Sequence, residues 1–152
     1  AANTKLSALS VFNPATALTM SAATYADSTA LRNLITGGQY TVALSDASVA
    51  DAATLDADTH VASYDSSGSS GDISAAFDAL AGLAKLQTIA LTDANGTLSL
   101  SAAQILGHAA TLAKISNGHQ IAATEATMAN LPGLQAVHQS TSATPPPRWL
   151  AV

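Results

Sequence analysis

The sequence contains no cysteine, few charges and few aromatic residues, and each shortage excludes a class of structure or function. Without cysteine the chain has no disulfide, no thiolate metal ligand and no cysteine nucleophile. Only 10% of its 152 residues are charged, against roughly 25% in an average domain, and the formal net charge is -5. Its 5 cations are scattered and form no basic patch, so we expect no nucleic-acid partner.

Long apolar segments are missing as well. No apolar run approaches the roughly 18 residues of a membrane span, so we expect no transmembrane segment. The first residues lack a basic region followed by an apolar one, and therefore are not an intact signal peptide. Hydrophobic residues make up 48% of the chain, but 35 residues are alanine. The length predicts one compact domain, with a core built largely from small side chains.

What the sequence does contain is an internal repeat with a spacing of roughly 80 residues. Residues 5–38 match residues 85–118 in an ordered series of Leu, Ser-Ala-Ala, Leu and Gly or Asn-Gly. Within that series, Leu18–Ala23 corresponds to Leu98–Ala103. The segments that follow each copy match in outline.

The repeat sets the predicted domain organisation. We predict a single repeat domain over residues 1–143, with units at about 5–84 and 85–143. Residues 144–152 contain Pro145–Pro147 and cannot continue the pattern, so they form a Pro-rich tail.

Strand and helix signals alternate along both units. Five segments are predicted strands of one mainly parallel sheet: Leu6–Val11, Tyr40–Leu44, His60–Tyr64, Thr88–Thr92 and Gln120–Ala123. Alternation of strands with helices favours parallel pairing, and crossovers between parallel strands are right-handed. The predicted fold class is therefore α/β, as a short right-handed α/β solenoid with helices packed on a mainly parallel sheet. The strands contain Thr and Ser, which favours one sheet face open to solvent.

Helix signals fill the intervals between the strands. Asp46–Leu55 is a predicted short helix, and Ile73–Leu86 is a longer one that Asp72 can cap. A third helix begins after the N-cap Ser101, and its apolar stripe extends over residues 102–113. Asn117-Gly118 is its predicted C-terminal cap. Four side chains on these helices are predicted to be buried: Phe77, Leu80, Ile105 and Leu112.

The connecting segments also carry signals. Asp65–Asp72 is rich in Ser and Gly and is predicted to be a flexible loop. Asp93–Gly96 is a predicted turn. Thr127–Leu131 is a predicted short helix ended by a Pro-Gly pair, and Ala136–His138 a predicted last strand.

Three segments of the chain carry a resemblance to a known class of repeat. Ile73–Leu80, Ile89–Asp93 and Leu98–Gln104 have the sequences ISAAFDAL, IALTD and LSLSAAQ. They resemble an Ala/Thr-rich strand–helix repeat of very large secreted bacterial proteins, a class often associated with type I secretion and adhesin-like roles. The resemblance implies a structural or adhesive repeat that is secreted or at the cell surface, and it carries over no catalytic residue. The glycine-rich calcium nonapeptides that often accompany this class do not occur in the sequence.

The metal candidates of the sequence lie in one short segment. Asp56, Asp58 and His60 stand at alternate positions, with Asp51 nearby. Alternate acidic residues begin a calcium loop, but the Gly and the distal Glu of such a loop are missing, since the only Glu is Glu125. The competing interpretation is a solvated loop between a short helix and a strand. We therefore expect no cofactor, with calcium as the alternative.

Catalytic patterns are few. The four histidines, His60, His108, His119 and His138, include no pair at the helical spacing of a zinc site. The many serines include no Gly-x-Ser-x-Gly elbow, and Gly37-Gly38 follows a helix where a phosphate-binding loop would precede one. We therefore expect no enzyme.

Two classes of function fit these observations. The first is a non-enzymatic structural or adhesive module that self-associates or contacts neighbouring repeats, with a surface glycan as a further partner. The alternative is a small secreted protein that binds a metal ion, haem, a glycan or ice. For haem, the histidines together with Tyr40 and Tyr64 would be the ligands.

Overall fold

The structure is a computed structural model that describes residues 8, 10, 15–35 and 40–141. In chain order its elements are β1 (Leu18–Ser21), α1 (Ala22–Asp27), α2 (Thr29–Arg32), β2 (Val42–Ser48), α3 (Ala52–Ala57), β3 (Val61–Gly68), α4 (Ser70–Ala81), β4 (Leu86–Leu91), β5 (Thr97–Ser101), α5 (Ala102–Gly107), α6 (Ala109–Leu112), β6 (Gln120–Thr124) and α7 (Leu131–Thr141). A 3-10 turn at Val49–Asp51 precedes α3. Of the predicted strand at Leu6–Val11 only residues 8 and 10 are described, and Gly37-Gly38 and the tail at 144–152 lie outside the described residues.

The described strands and helices form a mixed α/β arrangement, and each pair of these strands is parallel, as the alternation of elements predicts. A four-stranded sheet has the order β1-β2-β3-β4, and β5 pairs with β6 in a second sheet. The prediction of one sheet is wrong, because the chain turns at Asp93–Gly96 and β5 starts a new ladder. Asn95 adopts a positive φ of 55° in that turn, as Asn readily does.

Four of the predicted strands occur with shifted ends, and two strands lie where none is predicted. Tyr40–Leu44, His60–Tyr64, Thr88–Thr92 and Gln120–Ala123 overlap β2, β3, β4 and β6. The unpredicted strands are β1 and β5, which directly precede helices and are too short and too rich in Ser and Thr to stand out from a helix N-terminus. The predicted helix at Asp46–Leu55 starts later, since β2 continues to Ser48.

The predicted flexible loop at Asp65–Asp72 is wrong. Strand β3 continues to Gly68, and α4 begins at Ser70 with Ser69 as its N-cap. Ser66 is buried and donates a hydrogen bond of 3.1 Å to the Ala47 carbonyl oxygen. A Ser-Gly sequence resembles a linker by composition, but here it lies between two neighbouring strands that satisfy its backbone.

Three helix predictions also need correction. The helix predicted over 102–113 is interrupted at His108, where φ is -124° and ψ is 36°, although Ser101 caps it as predicted. Helix α4 ends at Ala81, so Leu86 belongs to β4. The predicted helix at Thr127–Leu131 is a non-helical turn up to Asn130. Helix α7 begins at Leu131 and replaces the strand predicted at Ala136–His138, with Pro132 in its first turn, where no N–H is needed.

The core lies between the helices and one face of the sheets. Phe77, Leu80, Ile105 and Leu112 are buried, which confirms the prediction for these side chains. The other sheet face carries short polar side chains that stay exposed, among them Ser45, Asp65 and Thr88. Among the helices in the described ranges, none combines the length and apolar character that crossing a membrane requires.

Candidate functional site

The metal candidates Asp51 and Asp56 already interact with protein donors. Asp51 accepts a hydrogen bond of 3.0 Å from the Ser48 hydroxyl. Asp56 accepts one of 2.8 Å from the backbone N–H of Lys85. Within residues 8, 10, 15–35 and 40–141, no three acidic or histidine side chains lie together as a bound metal ion would require.

The other two metal candidates, Asp58 and His60, contact each other. Asp58 Oδ1 accepts the backbone N–H of His60 at 2.8 Å and lies 3.5 Å from its Nδ1. Asp58 Oδ2 accepts the Tyr25 hydroxyl at 2.7 Å. Burial alone would raise the pKa of Asp58, but these hydrogen bonds and the His60 and Arg32 charges outweigh it and hold the pKa below its ordinary value. The carboxylate is therefore a structural acceptor.

Beside this carboxylate lies a cavity of about 420 Å³. Its wall includes Tyr25, Arg32, Asp51 and Asp58. The Arg32 guanidinium carbon is 3.7 Å from the Tyr25 ring centroid, a cation–π distance. The wall carries both cationic and anionic side chains. Ser48 and Asp51 also line it, and their contact with each other is part of the N-cap of the 3-10 turn.

The histidines occupy separate environments. His60 stacks on Tyr40, with ring centroids 4.4 Å apart. His108 Nε2 lies 3.4 Å from the Asp78 carboxylate. His119 lies 3.0 Å from the Asn117 carbonyl oxygen. The side chain of His138 is outside the described part of the chain. Each of the three described imidazoles has its own partner, and of the haem ligands proposed from sequence His60 and Tyr40 lie against each other.

The same order of elements occurs twice in the structure, in phase with the repeat of the sequence. Helix α1 corresponds to α5, each of 6 residues, and α2 corresponds to α6, each of 4 residues. The N-caps Ser21 and Ser101 are equivalent, and each accepts the N–H of the residue three positions later. Strands β1 and β5 precede these caps. The burial and contacts of a residue in one segment can therefore be compared with those of its equivalent in the other.

Up to α6, equivalent residues are separated by the spacing between Ser21 and Ser101. Beyond α6 the correspondence continues, and equivalent residues are separated by one position less. Four pairs of residues share this shorter spacing: Val42 and Ile121, Asp46 and Glu125, Ser48 and Thr127, and Asp51 and Asn130. Val42 lies opposite Leu18 of β1, and Ile121 lies opposite the equivalent Leu98 of β5. Asp46 and Glu125 both have a positive φ angle, of 57° and 54°. The Ser48 hydroxyl donates to the Asp51 side chain at 3.0 Å, and the Thr127 hydroxyl donates to the Asn130 side chain at 2.6 Å.

Equivalent residues differ sharply in burial at the start of the first unit. Leu18 is 39% exposed, whereas its equivalent Leu98 is fully buried. Leu31 is 49% exposed, whereas its equivalent Thr111 is 5% exposed. In the second unit, helix α4 packs against β5 and α6 and covers these positions. We use the name front face for the surface formed by Leu18, Leu31 and the edge of β1 with which no other described strand pairs.

A second surface with exposed apolar side chains lies at the end of the described part of the second unit. Met128 is 84% exposed, whereas its equivalent Val49 packs against the core. There the backbone of β3 comes so close that a Cβ on Gly68 would lie 2.8 Å from Val49 Cγ2. Leu131 is exposed, whereas its equivalent Ala52 is buried. We call the surface formed by Met128, Leu131 and the outer edge of β6 the rear face.

Neither face is identified by the sequence as a site, because a hydrophobic residue in an amphipathic pattern is normally assigned to the core. The signal was nevertheless available in the repeat, since Leu31 stands where the second unit has Thr111, and Met128 stands where the first has Val49. Comparison with protein-family models, curated proteins and solved structures finds no match to the chain. The functional argument therefore rests on the equivalence between the two units.

Proposed function

We propose that the chain is a non-enzymatic structural or adhesive repeat module of a secreted or cell-surface bacterial protein, built as a short right-handed α/β solenoid. The observation that carries this proposal is the recurrence of β1, α1 and α2 as β5, α5 and α6, with equal helix lengths and the spacing that separates Ser21 from Ser101. Repeat proteins are stabilised largely by contacts between adjacent units, so recurrence of whole elements favours this class. The composition and the resemblance stated above support the location.

The contacts between the two units also favour a repeat module. Ile89 of β4 forms an isolated parallel bridge with Ile115 of the second unit. Further along, the Asn117 side chain imitates a strand, because its Oδ1 accepts the Leu91 N–H at 2.9 Å and its Nδ2 donates to the Leu91 carbonyl at 2.8 Å. The second unit thus continues the sheet edge of the first.

The serine hydroxyls that follow the strands support a structural role. Ser21, Ser48, Ser69 and Ser101 each accept the backbone N–H of the residue three positions later. An N-cap of this kind stabilises a helix by about 1 kcal/mol and occupies the hydroxyl. The residues that resemble nucleophiles by composition therefore hold the strand–helix junctions of the repeat.

A three-unit chain tests the proposal. Residues 1–139 would be followed directly by residues 61–152, because Gln139 is equivalent to His60 under the same shift that relates Val42 to Ile121. The added β3 and α4 should then cover the rear face as they cover its counterpart in the first unit. The matched control begins the added segment at Gly71, which omits β3 and breaks the phase.

The decisive readout is oxidation of Met128 by dilute peroxide, followed by mass spectrometry. Met128 occurs twice in the in-phase chain, once in each segment. The first copy, next to the junction, should be oxidised about tenfold or more slowly than Met128 of the natural chain, since a core side chain reacts only when the structure opens. The second copy, and both copies in the control, should be oxidised as rapidly as Met128 of the natural chain, and the copies are told apart by their different neighbouring peptides. Met20, which is half-buried, serves as the internal reference. If the Met128 copy next to the junction is oxidised as fast as Met128 of the natural chain, and small-angle scattering shows no increase in length, a repeat module is contradicted.

A further inference from the structure

The cavity beside Asp58 lies between α1 and α3, and the second unit shows why it is open. There α5 packs on α7, and a Cβ on Gly133 would lie only 2.8 Å from Leu106 Cδ2. The equivalents of Leu106 and Gly133 in the first unit are Ala26 and Thr54, and both line the cavity. The first unit therefore keeps open, as part of a cavity of about 420 Å³, the space that a leucine side chain occupies in the second.

The two units also differ in polarity around this space. The second unit has three apolar residues that are buried or pack against the core: Ile105, Leu112 and Val137. Their equivalents in the first unit all line the cavity, and they are Tyr25, Arg32 and Asp58. Packing of the repeat needs only the apolar set, because a buried polar group costs stability unless it finds a partner. The polar set of the first unit therefore indicates a further role.

Arg32 is the clearest of these replacements, because the protein satisfies its guanidinium only in part. Nη2 donates to the Thr29 hydroxyl at 3.0 Å, and the guanidinium lies over the Tyr25 ring. Nε is buried and has no hydrogen-bond partner among the described residues. A buried N–H without a partner lowers the stability of a fold, so stabilisation does not account for an arginine at this position.

Carboxylates supply the other charges of the cavity wall. Asp46 in β2 and Asp51 in the 3-10 turn line it and are exposed. Each accepts one hydroxyl at 3.0 Å, from Ser45 and Ser48 respectively, and a carboxylate can accept further hydrogen bonds. Within the described ranges neither forms an ion pair with a cationic side chain. The wall therefore offers acceptors for an ammonium group and, at Arg32, donors for a carboxylate.

We propose that this cavity binds a small zwitterion with an ammonium and a carboxylate group, the chemistry that free amino acids and short peptides share. The ligand carboxylate lies at the Arg32 guanidinium, and the ligand ammonium lies at Asp46 and Asp51. Asp58 stays bonded to the Tyr25 hydroxyl and holds the ring against Arg32. The volume of about 420 Å³ is within the range of small-molecule pockets, roughly 300–1,000 Å³. The site goes beyond the proposed function, because a structural or adhesive repeat does not require such a ligand.

Titration of the isotope-labelled full chain with the common free amino acids, followed by NMR, tests the proposal. The backbone amide signals of α1, α2 and the 3-10 turn should shift with at least one amino acid at concentrations up to about 10 mM. The N-acetyl and the amide derivatives of that amino acid each lack one charge and should bind about tenfold or more weakly. Its dipeptide shows whether a free amino acid or a short peptide is the preferred source of the zwitterion.

Two variants install residues of the second unit in the first. Ala26→Leu should fill the cavity, and Arg32→Leu removes the guanidinium. Each should keep the fold, which circular dichroism checks, and should weaken binding by about tenfold or more. Ala79→Leu makes the same change as Ala26→Leu on the exposed side of α4, outside the cavity, and should bind as the natural chain does.

Three results would each overturn the proposal. They are no shift with any common amino acid, unchanged binding in Ala26→Leu, and equal binding of an amino acid and its amide or N-acetyl derivative. None of them alters the Met128 oxidation of the in-phase chain, so the proposed function is judged separately.

Discussion

Tyr25 and Asp58 join the first helix to the loop before β3 through a hydrogen bond of 2.7 Å. The same loop is held from the other side, because Lys85 Nζ donates to the Asp58 carbonyl oxygen at 2.6 Å. Arg32 lies against the Tyr25 ring. The second unit has apolar residues at the positions equivalent to Tyr25 and Arg32, so this polar connection is a property of the first unit alone.

The Asp58 carboxylate should make the stability depend on pH in the acid range. Its folded-state pKa lies below the ordinary value of 3.8, so its contribution is fully present above that value and is lost as the pH falls through the folded-state pKa. We expect the free energy of unfolding in urea to decrease below about pH 4, and this decrease to be smaller in Asp58→Asn. Asp27→Asn, at an exposed position, is the control. Identical acid profiles for all three chains would show that Asp58 is not stabilised in its charged form.

Removal of the Tyr25 hydroxyl should weaken the same connection at neutral pH. Tyr25→Phe keeps the ring beneath Arg32 but deletes the donor to Asp58. The expected loss is about 1 kcal/mol, since the carboxylate is partly exposed and keeps its bond to the His60 N–H. Urea unfolding at pH 7 measures this loss, and an unchanged midpoint would show that water replaces the hydroxyl without loss.

The core should be sensitive at Leu80. This side chain is fully buried on α4, where many neighbouring residues are alanine and cannot refill a gap. Leu80→Ala should therefore lower the free energy of unfolding by about 3.5–5 kcal/mol, the upper half of the usual range. Leu83→Ala, at a half-buried position, should have a smaller effect. A loss below about 1 kcal/mol at Leu80 would mean that the core relaxes around the cavity.

Two glycines offer a matched pair of substitutions with opposite expected signs. A Cβ on Gly96 would clash with the Asp93 carboxylate and lie 2.8 Å from Ser70 Cβ. Gly96→Ala should destabilise the protein by about 1–3 kcal/mol, because the turn holds Asp93 against the start of α4. Gly107 ends α5 with nothing within 4 Å of a Cβ, so Gly107→Ala should stabilise by up to about 1 kcal/mol. Thermal denaturation of both variants measures these effects. Equal shifts in melting temperature would contradict the close packing around Gly96 in the turn.

The sequence predicts the alternation of elements and the buried helix faces better than it predicts where strands end. Phe77 and Leu80 follow from helical spacing alone, because large apolar residues are rare in this chain and their pattern is unambiguous. Ser66 and Gly68 were missed as strand residues, because their position is fixed by neighbouring strands that local composition does not report. Met128 was missed as surface for a similar reason, since its exposure depends on which unit covers it.

A chelator should leave the stability unchanged. The carboxylates of Asp51, Asp56 and Asp58 each accept a hydrogen bond from a protein donor, so a cation would have to displace these donors. The melting temperature in excess EDTA should therefore equal that in buffer, and added calcium should not raise it. A cooperative fall in melting temperature with EDTA, restored by calcium, would overturn this prediction. Asp51→Asn should then reduce the response if the predicted loop is the site.

The side chain of Asn117 attaches the second unit to the end of β4. Its side-chain amide satisfies both backbone groups of Leu91, which is a buried residue near the end of β4. Asn117→Asp keeps the acceptor for the Leu91 N–H but replaces the donor with an oxygen that faces the Leu91 carbonyl. We expect a loss of about 1 kcal/mol at pH 7, because the Leu91 carbonyl loses its donor at a site that is only partly buried. Protonation of the new carboxyl would restore a donor, so the difference from the natural chain should shrink at low pH. If Asn117→Asp and the natural chain have the same unfolding midpoint at pH 7, the strand-like contact contributes nothing to the joint between the units.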